Sequence, residues 1–89
     1  MSVKYFDICD HAYKRDSDNR EVYILRVDKV GNVYEDIPTE YESQRFDRHW
    51  NYDARVISKE IAYALAKNPG LSYSGDHIMI FNERNKKWE

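Results

Sequence analysis

The stretch Arg45-Phe46-Asp47-Arg48-His49-Trp50-Asn51-Tyr52 holds the densest interaction chemistry in the chain, with guanidinium groups interleaved among aromatic rings. Arginine presents a planar fork of donors to a carboxylate or phosphate, and Trp and Tyr present large rigid faces. Two kinds of partner use such mixtures. Protein hot spots are enriched in Trp, Tyr and Arg. Single-stranded nucleic acid is held by stacking and phosphate contacts. A protein partner is expected here, because Asp47, Asp53 and the acids of the first half repel phosphate. The candidate contact residues are Arg45, Phe46, Arg48, His49, Trp50 and Tyr52. The structural alternative is that Phe46 and Trp50 plug the sheet edge while the arginines are solvated.

Catalytic chemistry has less support. On one strand Cys9 and His11 would share a face, which allows a thiol–imidazole pair, or two metal ligands completed by His49 or His77. The C-x-H spacing matches no zinc signature, and a small buried thiol beside a surface histidine is the expectation. His11, His49 and His77 fall in different elements, so only folding can pair them for acid–base work. There is no G-x-G-x-x-G, Walker loop, G-x-S-x-G or H-E-x-x-H. Gly31, Gly70 and Gly75 are the only glycines, each at an expected turn. No enzyme, no metal and no cofactor are expected. A small enzyme using Cys9/His11 or a histidine pair ranks behind a small single-stranded RNA- or DNA-binding domain as an alternative.

Fourteen basic and sixteen acidic residues leave a net charge of −2, which is not the footprint of a basic DNA-binding domain. Residues 1–53 carry twelve acids and eight bases, and residues 54–89 carry four acids and six bases. Asp16, Asp18, Glu35, Asp36, Glu40 and Glu42 are candidates for an acidic patch. Gathered on one face they would point to mimicry of nucleic acid. Eight Tyr, three Phe and two Trp are more rings than a small core can hide, so some face outward. A second, weaker basic cluster is Arg84, Lys86, Lys87 and Trp88.

These residues must be positioned by one small domain, residues 1–89, which is 42% hydrophobic and 34% charged. A single cysteine excludes a disulfide framework. The segment Met1–Asp7 lacks an apolar signal region, and no apolar run approaches the ~20 residues that span a bilayer. A cytoplasmic protein without membrane contact is expected.

Val3–Cys9 reads as a strand that can extend to Tyr13, followed by a mobile hairpin tip near residues 14–20. Glu21–Val30 reads as a central strand, with Gly31-Asn32 turning into Val33–Ile37. Thr39 and Glu42 have capping-box spacing for a short helix, with loop or a single turn beyond. Asp53 is placed to cap the main helix, Asp53–Lys67, whose Ile57, Ile61 and Leu65 make an apolar stripe. Asn68-Pro69-Gly70 stops it. Asp76–Asn82 reads as the last strand, and residues 83–89 as a charged tail. The expected fold is α+β: a small two-layer sandwich with a three-stranded antiparallel meander, one main helix and a final strand, β-β-β-α-β.

A very small, Tyr-rich, charge-dense chain without a catalytic motif is similar in style to accessory proteins of phages and mobile elements. The likeness is one of composition. It implies a protein-binding module, an inhibitor that docks on a host protein or nucleoprotein.

Overall fold

The computed structural model describes residues 3–16, 21–75, 77–79, 81–82 and 87–88. Val3–Ile8 form β1 and His11–Asp16 form β2. The two are joined by Cys9 and Asp10, both in the left-handed region at φ 52° and 66°. Two positive φ values in a two-residue hairpin loop match the right-handed twist of the strands they join. Asp7 helps to close the turn, its Oδ1 accepting from the Asp10 N–H at 3.1 Å. The sequence pattern places a strand over Val3–Cys9 that can extend to Tyr13. Instead the chain reverses, and what was expected to be hairpin tip from Lys14 onward is strand as far as Asp16. Residues 17–20 of that tip, Asp18 among them, lie outside the described residues.

Glu21–Val27 form β3 and Val33–Asp36 form β4. The hairpin signal at Gly31-Asn32 is realised with Gly31 at φ 93°. Asp28 organises the loop, its Oδ1 accepting from the Val30 and Asn32 N–H groups at 3.0 and 2.8 Å. Glu40–His49 form α1, Arg55–Ile57 form β5 and Lys59–Lys67 form α2. The five strands make one antiparallel sheet in the order β4-β3-β2-β1-β5. α1 therefore carries the chain from one sheet edge to the other.

Strand alternation divides the core in two. Phe6, Ile8, Tyr13 and Ile24 project to one face and bury Phe46 of α1. Ala12, Leu25 and Ile57 project to the other and bury Ile61, Ala62 and Leu65 of α2. A helix on each face makes three layers rather than two. The α+β class stands, but the order is a four-stranded meander, helix, strand, helix, and not β-β-β-α-β.

The main helix starts six residues later than expected. Ser58 is its N-cap, accepting from the Ile61 N–H at 3.1 Å, and Arg55–Ile57 ahead of it are strand. Ile57 belongs to the same core as Ile61 and Leu65, contributed from the sheet instead of the helix. Ser72–Ser74 (β6) and His77–Met79 (β7) form a separate ladder. Phe81–Asn82 (β8) and Lys87–Trp88 (β9) form another. The expected last strand is thus split, and its described parts do not join the main sheet. Asp76 and Ile80, and residues 83–86 and 89 of the expected tail, lie outside the described residues.

A long-range hydrogen bond pins β6 to β1: the Tyr73 hydroxyl donates to Oδ2 of the buried Asp7. Burial, with the Asp7 carboxylate beside it, pushes the Tyr73 phenol well above its ordinary pKa. The Arg55 guanidinium lies 4.4 Å from the centre of the same ring.

Candidate functional site

Four of the candidate contact residues lie on α1 and two follow it. Why α1 forms is clear at its start. The Thr39 hydroxyl accepts from the Glu42 N–H at 3.2 Å, and the Glu42 carboxylate accepts from the Thr39 N–H at 2.8 Å. This is the capping box the spacing predicts, although the helix runs on to His49 where a loop was expected. The far end closes on a single acceptor. The N–H groups of Tyr52, Asp53 and Ala54 all donate to the His49 carbonyl, at 3.0, 3.1 and 3.1 Å.

Position on the helix is set by ion pairing and by one buried ring. Arg26 on β3 grips Glu42 with both terminal nitrogens, at 3.1 and 2.6 Å, while its Nε donates to Asp36 of β4 at 2.7 Å. That grip, with the hydrogen bonds at Thr39, lowers the Glu42 carboxyl to about 2. The Tyr13 hydroxyl donates to the Glu42 carbonyl at 3.0 Å. Phe46 is only 3% exposed and meets Phe6 edge-on at 5.6 Å between ring centres. Phe46 is therefore a core residue, a correction to its expected place among the contact residues.

Trp50 stands between the two roles. It stacks on Phe46 at 6.4 Å and 3°, carries the Arg15 guanidinium 4.7 Å from its ring centre, and remains 36% exposed. Tyr52 is 89% exposed in the turn beyond. Arg48 is exposed, and Arg45 and His49 are half-buried. His49 Nδ1 lies 2.8 Å from Asp53 Oδ1 and is committed to it.

Sequence reasoning missed Tyr41, Arg15 and the lip formed by Cys9. Tyr41 is 73% exposed and packs its ring 5.3 Å from the Arg45 guanidinium. The signal was available, since positions 41, 44, 45 and 48 fall on one side of a helix. These residues and His49 face the β1–β2 turn across a notch of about 190 Å³ lined by Cys9, Tyr41, Gln44, Arg45, Arg48 and His49. Arg15, Arg45 and Arg48 have no acidic partner among the described residues.

The acidic candidates do not gather. Glu35 is on the α2 side of the sheet, 2.6 Å from Lys14, whereas Asp36 and Glu42 are on the α1 side with Arg26. Asp16 alternates onto the same face as Lys14, and Glu40 opens α1. No acidic face of the kind that would imitate nucleic acid is built from the described members of this set.

The catalytic candidates are also separated. Cys9 is exposed in the turn and His11 begins β2, so they do not share a strand. Burial, then the charge of Arg45, lowers the His11 pKa from its ordinary value. Among the described residues no three His, Cys, Asp or Glu side chains are grouped to hold a metal ion. No described helix is long and apolar enough to cross a membrane. No family model, curated protein or solved structure matches this chain.

Proposed function

We propose that the chain is a cytoplasmic protein-binding module that docks through the α1 side of its sheet onto a partner presenting acidic and apolar groups. One observation carries this: Arg15, Arg45 and Arg48, without acidic partners among the described residues, share that side with the exposed rings of Tyr41, Trp50 and Tyr52. Exposed rigid rings beside arginines supply the apolar anchors and directional donors that dominate protein affinity. The arginines favour an acidic complement, which also speeds encounter. The exposed Cys9 thiol suits a reducing compartment. Acting by occupancy, such a module blocks whatever its partner's surface otherwise binds, as an inhibitory accessory protein of phage type would. Its partner is a host protein or the protein part of a nucleoprotein.

The same arginines and rings keep a second reading in play, a small single-stranded nucleic-acid binder. The net charge of −2 argues against it. The deciding experiment has two arms. Wild-type and Tyr52→Ala proteins are used to capture partners from source-cell lysate, and a captured protein is purified and rebound. Labelled single-stranded RNA, single-stranded DNA and duplex are titrated separately. A protein partner lost with Tyr52→Ala, and nucleic-acid binding no tighter than ~10⁻⁵ M, support docking on protein. Sub-micromolar nucleic-acid binding at physiological salt, lost on replacing Arg45 and Arg48, overturns it.

A further inference from the structure

We infer that the notch between the β1–β2 turn and α1 is a receptor for a single oxyanion, a carboxylate or phosphoryl group carried by the partner protein and held by Arg45 and Arg48. This rests on the docking reading above and gives it a specific anchor. Arg45 is only partly partnered. Its guanidinium lies 5.9 Å from the Tyr13 ring centre and 5.3 Å from that of Tyr41, and its Nε is buried without a hydrogen-bond partner. A buried donor left unpaired is costly and uncommon in a settled core. Here it belongs to a side chain that also lines an open notch. The two rings limit the rotamers of Arg45, so little freedom remains to be lost when an anion arrives.

Charge at the notch comes chiefly from two arginines. Of the nearby acids, Glu42 is engaged by Arg26 and Asp53 by His49, while Asp10 stands in the turn at the lip. Arg48, one turn beyond Gln44 and Arg45, adds a second fork to the same notch. His11 beside the notch senses both signs of charge: burial and then Arg45 lower its pKa, while Glu42, Asp10 and Asp7 raise it. Gln44 supplies an amide donor at the rim, its Nε2 otherwise making only a 3.5 Å contact with Glu40.

Size limits what the notch can hold. At about 190 Å³ the notch is smaller than the ~300–1,000 Å³ of sites that enclose a drug-sized molecule, and it suits one anionic group. Its lip is the β1–β2 turn, which contributes Cys9 to the lining.

The test uses the full chain and four probes: inorganic phosphate, acetate, and two short peptides identical except for one glutamate or one phosphoserine. The His11 imidazole and the Arg45 Nε–H are followed by NMR, with chloride at matched ionic strength as the screening control. Saturable shifts of both groups are expected, with the His11 pKa rising as the added anion offsets Arg45. Arg48→Gln should weaken peptide binding about tenfold, ~1.4 kcal/mol. Arg45→Lys keeps the charge but loses the fork and should weaken it similarly. If Arg45→Lys does not fold, the exposed Arg48→Gln decides. Preference for the glutamate or the phosphoserine peptide identifies the source of the anion, and either supports the inference. No saturable response beyond chloride, or Arg48→Gln behaving as wild type, overturns it. A notch that binds these probes while Tyr52→Ala captures partner undiminished would sink the docking reading alone. Lost capture with no anion response would sink the notch alone.

Discussion

The two faces of the sheet are built differently. The α2 side is closed by apolar groups from helix and sheet together: Ile61, Ala62 and Leu65 against Ala12, Leu25 and Ile57, with Tyr5, Leu71, Tyr73 and Ile78 around them. On the α1 side the helix buries one residue, Phe46, and is otherwise held by the Arg26 grip and the Tyr13 hydrogen bond. Hydrophobic burial is non-directional and accumulates with area, whereas ion pairs and hydrogen bonds orient a helix while contributing modestly to stability. The first face secures the fold. The second holds a helix in a fixed pose while leaving its polar and aromatic groups outward.

The comparison breaks most readily at Phe46. Phe46→Ala should cost about 3–5 kcal/mol in urea unfolding. Hydrogen exchange should show α1 amides losing protection while those of α2 keep theirs. Equal loss in both helices would mean that the two faces are one cooperative unit. Ile61→Ala removes one of three buried α2 residues and should cost about 2–5 kcal/mol. A melt within a degree or two of wild type would place the main core elsewhere.

Tyr73→Phe probes how the α2 side is extended by β6. It leaves the buried Asp7 carboxylate without its phenol donor and should cost about 1–3 kcal/mol by the same measurement. No change would show that the Asp10 N–H alone suffices for Asp7.

Acid probes the other face. The Glu42 carboxyl titrates at about 2 in the folded chain against an ordinary 4.5, so it binds its proton less readily folded than unfolded. Its contribution is complete above the unfolded value and is lost as pH falls toward the folded one. Glu42→Gln should therefore flatten the acid limb of the stability profile between about 4.5 and 2, and loosen α1 before α2. An unchanged acid limb would remove the Arg26–Glu42 grip from the account.

What could be read in the sequence follows from the same contrast. Local signals worked where a few neighbouring residues decide the outcome: Thr39 with Glu42, Gly31-Asn32, and Asn68-Pro69-Gly70. The nearly continuous apolar run from Val22 to Val27 marks β3 as a strand covered on both faces; Ile24 and Leu25 are buried on opposite faces, and β3 lies inside the sheet between β4 and β2, with β2 at the centre. The Cys9–Asp10 reversal was missed because neither residue advertises positive φ as glycine does. The span Ala54–Ile57 misled because a three-residue strand is too short to show alternation, and its apolar positions also fit a helical period. α1 was cut short because a helix that buries a single side chain has no apolar stripe. The proposed contact stretch stands out by composition, but its division into the buried Phe46, the half-buried Arg45 and the exposed Tyr52 depends on which way the helix is turned. Arg26 sets that, from 16 positions away.

The division of labour between the faces is tested most directly by the paired Arg48→Ala/Tyr52→Ala variant, measured in one sample for both stability and partner retention. Both side chains are exposed, so the melt should stay within ~0.5 kcal/mol of wild type for each change. Retention of the partner should fall by at least about tenfold, ~1.4 kcal/mol. A variant that binds its partner as wild type does, with its fold intact, would contradict the assignment of the α1 side as the contact surface.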